Sequence, residues 1–170
     1  MNGPALTNHV IITDDQNVIQ SILEKSQVDT ADIRYMGEIM CPGFINTHCH
    51  LELSHMKGKV PTGTGLISFI GDVVTKRGTD EEEIQRAIAT AEQEMIDGGI
   101  VAVGDISNTV DTFRQKAKGN LKYYTFIEYF DMLQDSGAKE MQDQYDAVYD
   151  ALEPVAGGAK SKVPHAPYSM

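Results

Sequence analysis

Basic residues are scarce in this chain. It carries 14 lysines and arginines against 25 aspartates and glutamates, giving a net charge of −11. Nucleic acid and anionic membrane surfaces both ask for a basic face, so neither is expected as a partner. No apolar run is long enough to cross a bilayer, and the opening Met1-Asn-Gly-Pro-Ala-Leu-Thr-Asn8 lacks the basic-then-apolar order of a secretory leader. Cysteine is almost missing too, with only Cys41 and Cys49 present. Both fall in one short extended segment, where a rise of about 3.3 Å per residue keeps them from bridging. Reduced thiols and the absence of a leader make the cytoplasm the expected compartment. Repeats and low-complexity tracts are absent as well. The remaining composition, 41% hydrophobic and 23% charged over 170 residues, is that of a globular domain with a real core.

The most informative stretch is Cys41-Pro-Gly-Phe-Ile-Asn-Thr-His-Cys-His-Leu-Glu52. A Pro-Gly turn feeds strand-favouring residues that end in His48-Cys49-His50. Successive side chains of an extended chain point to opposite faces, so His48 and His50 share one face and Cys49 takes the other. Two imidazoles so placed can reach one metal ion, and imidazole nitrogen suits zinc and iron. A strand end followed by a Gly/Pro/Thr-rich loop is where a barrel enzyme keeps its site.

Upstream, residues 5–39 read as short strands and turns. His9–Thr13 is a β-branched run with His9 a surface or strand histidine, and Asp14–Asn17 is a turn. Residues 18–23 fit strand or helix equally. Ile33–Met36 and Glu38–Met40 read as a further strand before the Pro-Gly turn. Downstream, residues 51–65 read as a loop. It holds Glu52 and His55 near the proposed metal, and Glu52 is a candidate for substrate contact.

Leu66–Arg77 has apolar residues at helical spacing and Gly78 as a stop. Thr79, with Glu82 three residues on, predicts a capped helix whose buried stripe is Ile84, Ile88, Ala91, Met95 and Ile96, closed by Gly98-Gly99. Ile100–Ile106 reads as a strand covered on both faces, with Asp105 expected to accept from the Ser107 and Asn108 amides. A short helix over 109–118 follows, then a strand over 121–130. Glu128 is a charge inside that aromatic run, which predicts either a place at the active-site mouth, in contact with substrate, or a structural ion pair. A helix over 136–152, a Gly157-Gly158 break and a strand over 161–165 close the chain. Strands alternating with helices predict parallel pairing, and four such strands make half of an eight-stranded barrel.

Two segments resemble a known family. Pro42–Leu53 is similar to the first metal-binding strand of the amidohydrolase superfamily, in the branch with guanine, cytosine and adenosine-type deaminases and chlorohydrolases. Val163-Pro-His-Ala-Pro-Tyr-Ser169 resembles the motif closing the fourth barrel strand there. The resemblance implies an α/β fold. Residues 1–40 would be part of a small β-sandwich, and residues 41–170 the first four strands of a partial TIM (β/α) barrel. It implies one divalent metal, zinc with iron as the alternative, held by His48 and His50. It assigns His165 to substrate binding.

The implied reaction is hydrolysis of a non-peptide C–N bond, deaminating a purine-like or other small heterocycle by metal-activated hydroxide. Chlorohydrolases and cyclic-amide hydrolases would share the half-site. The zinc deaminases built on His-x-Glu and Pro-Cys-x-x-Cys are excluded, because neither motif occurs. In the resembled enzymes the remaining metal ligands, the proton-shuttling Glu and a water-orienting His come from strands five to eight. None of these maps here, so no catalytic residue is assigned within the chain. The expectation is an N-terminal portion, inactive alone, that pairs with a missing C-terminal half or forms a homo-oligomer. The competing reading is a non-catalytic truncated paralogue or assembly partner.

Overall fold

A computed structural model describes residues 3–131, 137–155 and 157–169, without the side chain of Tyr168. The chain divides into two compact units, residues 1–42 and 43–170. Among the described residues no helix is long and apolar enough to cross a membrane.

The first unit is built on an antiparallel ribbon of β1 (His9–Thr13) and β2 (Ile19–Glu24). Its turn is an Asx arrangement in which Asp14 Oδ1 accepts from the Gln16 and Val18 amides, both at 2.9 Å. The open choice at residues 18–23 is thus settled as strand. The further strand expected over residues 33–40 does not form. Among the described residues no third strand lies beside the ribbon for it to pair with, and Ile39 and Met40 stand exposed at 89% and 62%. No second sheet layer accompanies the ribbon among this unit's described residues.

The second unit carries a parallel sheet in the order β3-β4-β5-β6: Phe44–Cys49, Ile100–Ser107, Lys122–Tyr129 and Ala159–Pro164. Helices α1 (Leu66–Lys76) and α2 (Glu81–Asp97) join β3 to β4. Helix α3 (Phe113–Lys116) joins β4 to β5, and α4 (Ala138–Ala151) joins β5 to β6. The alternation read from the sequence is the alternation observed. The predicted start of α4 at Ser136 lies outside the described residues.

One side of the sheet is packed. The α2 stripe Ile84, Ala91, Met95 and Ile96 lies against Leu51, Ile88, Val103, Leu121 and Tyr123, with Ile88 fully buried. Burying such a side chain contributes about 1.5–3 kcal/mol. Asp80, not Thr79, is the α2 N-cap: its carboxylate accepts from Glu82 N at 3.0 Å. Thr79 instead donates its hydroxyl to Glu83 at 2.6 Å. Gly99, at φ +80°, makes the reversal into β4 that a side chain would resist.

The other side of the sheet is open. Ile45, Thr47, Ala102, Gly104, Tyr124 and Phe126 line a hollow of about 320 Å³. The expectation that β4 is covered on both faces is therefore corrected: Ala102 and Gly104 line the hollow and are only half-buried. Helix α1 forms as predicted, yet none of its residues is buried, and Ile67 is 83% exposed.

The register carries a bulge near the His pair. Asn46 faces Val103 and Cys49 faces Asp105, so three steps on β3 match two on β4. Gly104 sits beside it, where an added Cβ would come within 2.8 Å of Thr47 O.

Candidate active site

All four strands of a parallel sheet end on the same side. That side collects His48 and His50 from β3, Asp105 from β4, Glu128 from β5 and His165 just after β6.

The two imidazoles stand together, ring centroids 5.2 Å apart and planes at 68°. Neither ring makes a hydrogen bond among the described residues. Burial holds His50 below the usual histidine value; Glu128 and Asp105 draw it up, and His48 and His165 push it down again. The neutral imidazole that results is the metal-binding form. Cys49 points away, into the packed side, against the core cluster that α2 and the sheet share. Burial first, then the Asp105 carboxylate, pushes its thiol up to about 12. A protonated, inward thiol is no competitor for the metal.

The stretch expected as a loop after His50 is in part a short 3-10 helix, Leu51–Met56, with Leu51, Glu52, His55 and Met56 buried. Glu52 Oε2 accepts from the Asn108 and Thr109 amides at 2.9 and 3.0 Å and from the Thr109 hydroxyl at 3.0 Å. Its Oε1 is buried without a hydrogen bond, 3.6 Å from Arg77. Desolvation raises this carboxyl above the usual range, against the pull of those donors. His55 is a strut: its ring bonds Glu52 O at 3.1 Å and Arg77 O at 2.8 Å.

Asp105 does not take the role expected of it. The Asn108 amide goes to Glu52, and Asp105, fully buried, accepts from Leu51 N at 2.8 Å. Its other oxygen meets Lys116 Nζ at 2.6 Å and the Ser107 hydroxyl at 3.2 Å. Lys116 was missed in the sequence. As one more base in a short surface-type helix it gives no signal of being 4% exposed.

Glu128 is buried, with its backbone carbonyl held by Asn108 Nδ2 at 2.7 Å. Its carboxylate makes no hydrogen bond or ion pair among the described residues, and its charge acts on His50. His165 is fixed by its amide to Tyr129 O at 2.9 Å and by its ring to Ser169 Oγ at 2.7 Å.

Two unengaged imidazoles are a donor pair that zinc or iron accepts. They fit two corners of a four-coordinate site. Among the described residues no group of three His, Cys, Asp or Glu converges on a metal position.

A model of the amidohydrolase family matches residues 39–161. The chain belongs to the amidohydrolase family. An adenosine deaminase of Helicobacter pylori is 28% identical over 139 residues, covering 80% of this chain and 33% of that protein. The solved structure of Helicobacter pylori aminofutalosine deaminase in complex with methylthio-coformycin aligns with a TM-score of 0.72 at 22% identity, covering 97% of this chain and 41% of that one. That likeness shows the fold, a parallel α/β arrangement of the partial-barrel kind. The chain thus spans a third to two fifths of the relatives it matches.

Proposed function

We propose that this chain supplies the first half of the barrel of a metal-dependent amidohydrolase that deaminates a small nitrogen heterocycle of purine-like shape. The observation that carries the reading is the pair of adjacent imidazoles of His48 and His50 at the C-terminal end of β3, without hydrogen bonds among the described residues, in a chain of this family. The deaminase relatives support the reaction class.

His48 and His50 would hold one divalent ion, zinc or alternatively iron, with the remaining ligands from outside the described residues. Such an ion supplies a Lewis acid and an activated water near neutral pH. The chain's own residues then bind and orient. Glu128, buried and without a hydrogen bond or ion pair to its carboxylate among the described residues, accepts N–H groups of the heterocycle. His165, aligned by Ser169, meets the substrate from the β6 side. Glu52 is buried, with Oε1 facing Arg77 and Oε2 fixing the loop at 108–109, so its part toward the substrate is to shape that loop.

The open sheet face and the two outer strand edges call for cover, since unpaired edges invite association. The occupant we assign is the other half of a barrel, on the same polypeptide or a second chain. We place the assembly in the cytoplasm, consistent with two unbridged thiols.

The test is elemental analysis of the purified 170-residue chain beside its oligomer mass. About one zinc or iron per chain, lost in His48→Ala and in His50→Ala, is expected. Metal content unchanged in both variants overturns the assignment. Ammonia release from aminated heterocycles by the metal-loaded assembly tests the reaction.

A further inference from the structure

The ring of His50 has no hydrogen-bonded partner of its own among the described residues. Histidines that bind metals usually have their second ring nitrogen held by a carboxylate or carbonyl, which fixes the ring's direction. Beyond its edge-on contact with the His48 ring, its placement rests on the main chain to either side. On one flank Cys49 is in register with Asp105 and packed into the core. On the other, Leu51 is 1% exposed and opens the 3-10 turn, so its N–H has no acceptor within that turn.

Asp105 Oδ1 supplies that acceptor at 2.8 Å. The carboxylate is itself held from the far side. Lys116 Nζ reaches Asp105 Oδ2 at 2.6 Å, Ser107 Oγ at 3.1 Å and Thr125 Oγ1 at 3.1 Å, so all three of its N–H groups are engaged. The pair thus runs from α3 through β4 to the residue after His50.

We propose that the buried Asp105–Lys116 pair is a positioning device, which fixes the His50 imidazole through the Leu51 amide and so sets the affinity of the His48/His50 pair for its metal ion. It rests on the reading of His48 and His50 as ligands. Neither Asp105 nor Lys116 touches the ion or the substrate. A fully buried carboxylate whose oxygens are taken by an amide, a hydroxyl and an ammonium is a poor ligand and a good anchor.

Two double variants separate anchoring from mere stability. Asp105→Asn with Lys116→Met removes both charges and keeps an oxygen for the Leu51 amide. Asp105→Leu with Lys116→Met removes both charges and the acceptor, replacing the pair by apolar groups, a change that buried pairs often tolerate. Asp105→Val with Lys116→Met is the substitute should the leucine not be accommodated.

Zinc affinity is read by competition with a chromophoric chelator. Histidine ring nitrogen signals and Leu51 amide exchange are read by NMR without metal. The Asn/Met variant is expected within about threefold of the parent in zinc affinity, and the acceptor-free variant about 10–100-fold weaker. Only the latter is expected to broaden the His50 ring signals and lose Leu51 protection. Equal zinc affinity and equal His50 ring signals in the two folded variants overturn the proposal. If the parent chain binds no zinc, the ligand reading fails, and the metal-free ring signals alone decide the anchoring.

Discussion

Lys116 and Asp105 form an ion pair at 2.6 Å with side chains 4% and 0% exposed, beneath the ends of β3 and β4. A charge pair so deeply placed is a poor source of net stability but a costly one to break. Lys116→Met alone leaves Asp105 charged and dry. It is expected to lower unfolding free energy by about 3–5 kcal/mol, read as a fall in the urea midpoint. Asp105→Asn with Lys116→Met should recover most of that loss. A single variant as stable as the parent would mean that water reaches the pair.

Gly104 is the second sensitive point. A Cβ there would press on Thr47 O at 2.8 Å and on the Phe126 ring at 3.3 Å. Backbone cannot retreat as a flexible side chain does. Gly104→Ala is expected to cost about 1–3 kcal/mol in urea unfolding. It should also disturb the His48 and His50 signals, because Thr47 lies within the bulge. An unchanged midpoint would show that β3 yields easily.

The α2 cap gives a smaller and cleaner contrast. Asp80→Ala should cost about 1 kcal/mol through the lost Glu82 amide bond and the bared helix N-terminus. Thr79→Ala loses only a hydroxyl bond to Glu83 and should cost less. Thermal melts of the two variants decide it, and the reverse order would restore Thr79 as the cap.

Thiol chemistry checks the direction of Cys49. With its thiol raised to about 12, it is protonated at pH 8, whereas Cys41 is exposed. A thiol reagent at pH 8 should label one cysteine per native chain quickly, and Cys41→Ser should abolish that fast phase. Labelling of Cys49 should accelerate as pH rises toward 12, since thiolate, not thiol, reacts. Two equally fast thiols in the native chain would contradict the inward placement.

Local pattern made much of this fold readable in advance. The α2 stripe, the Gly98-Gly99 stop and the alternation of His48, Cys49 and His50 follow from periods of 3.6 and 2 residues. They came out as read. Contacts made across the chain were not readable in the same way. Glu52 finds its donors 56 and 57 residues on, and Leu51 finds Asp105 54 residues on. No local signal announces such partners, so a buried 3-10 turn passed for a loop and an anchoring carboxylate for a cap. Ile33–Met40 shows the opposite failure: β-favouring residues with no neighbouring strand stay irregular.

The bulge between Asn46 and Cys49 acts as a phase setter. Just before it Ile45 and Asn46 are held in ladder pairing with Ala102 and Val103, and the residues after it are dealt alternately to the wet and the dry side. Removing one residue there would shift that alternation by one step. Cys49 would then be delivered to the mouth of the sheet and an imidazole to the apolar core. Single-residue length changes in this short segment should therefore be far more harmful than most substitutions within it, a pattern that a deletion scan across residues 44–49 would display.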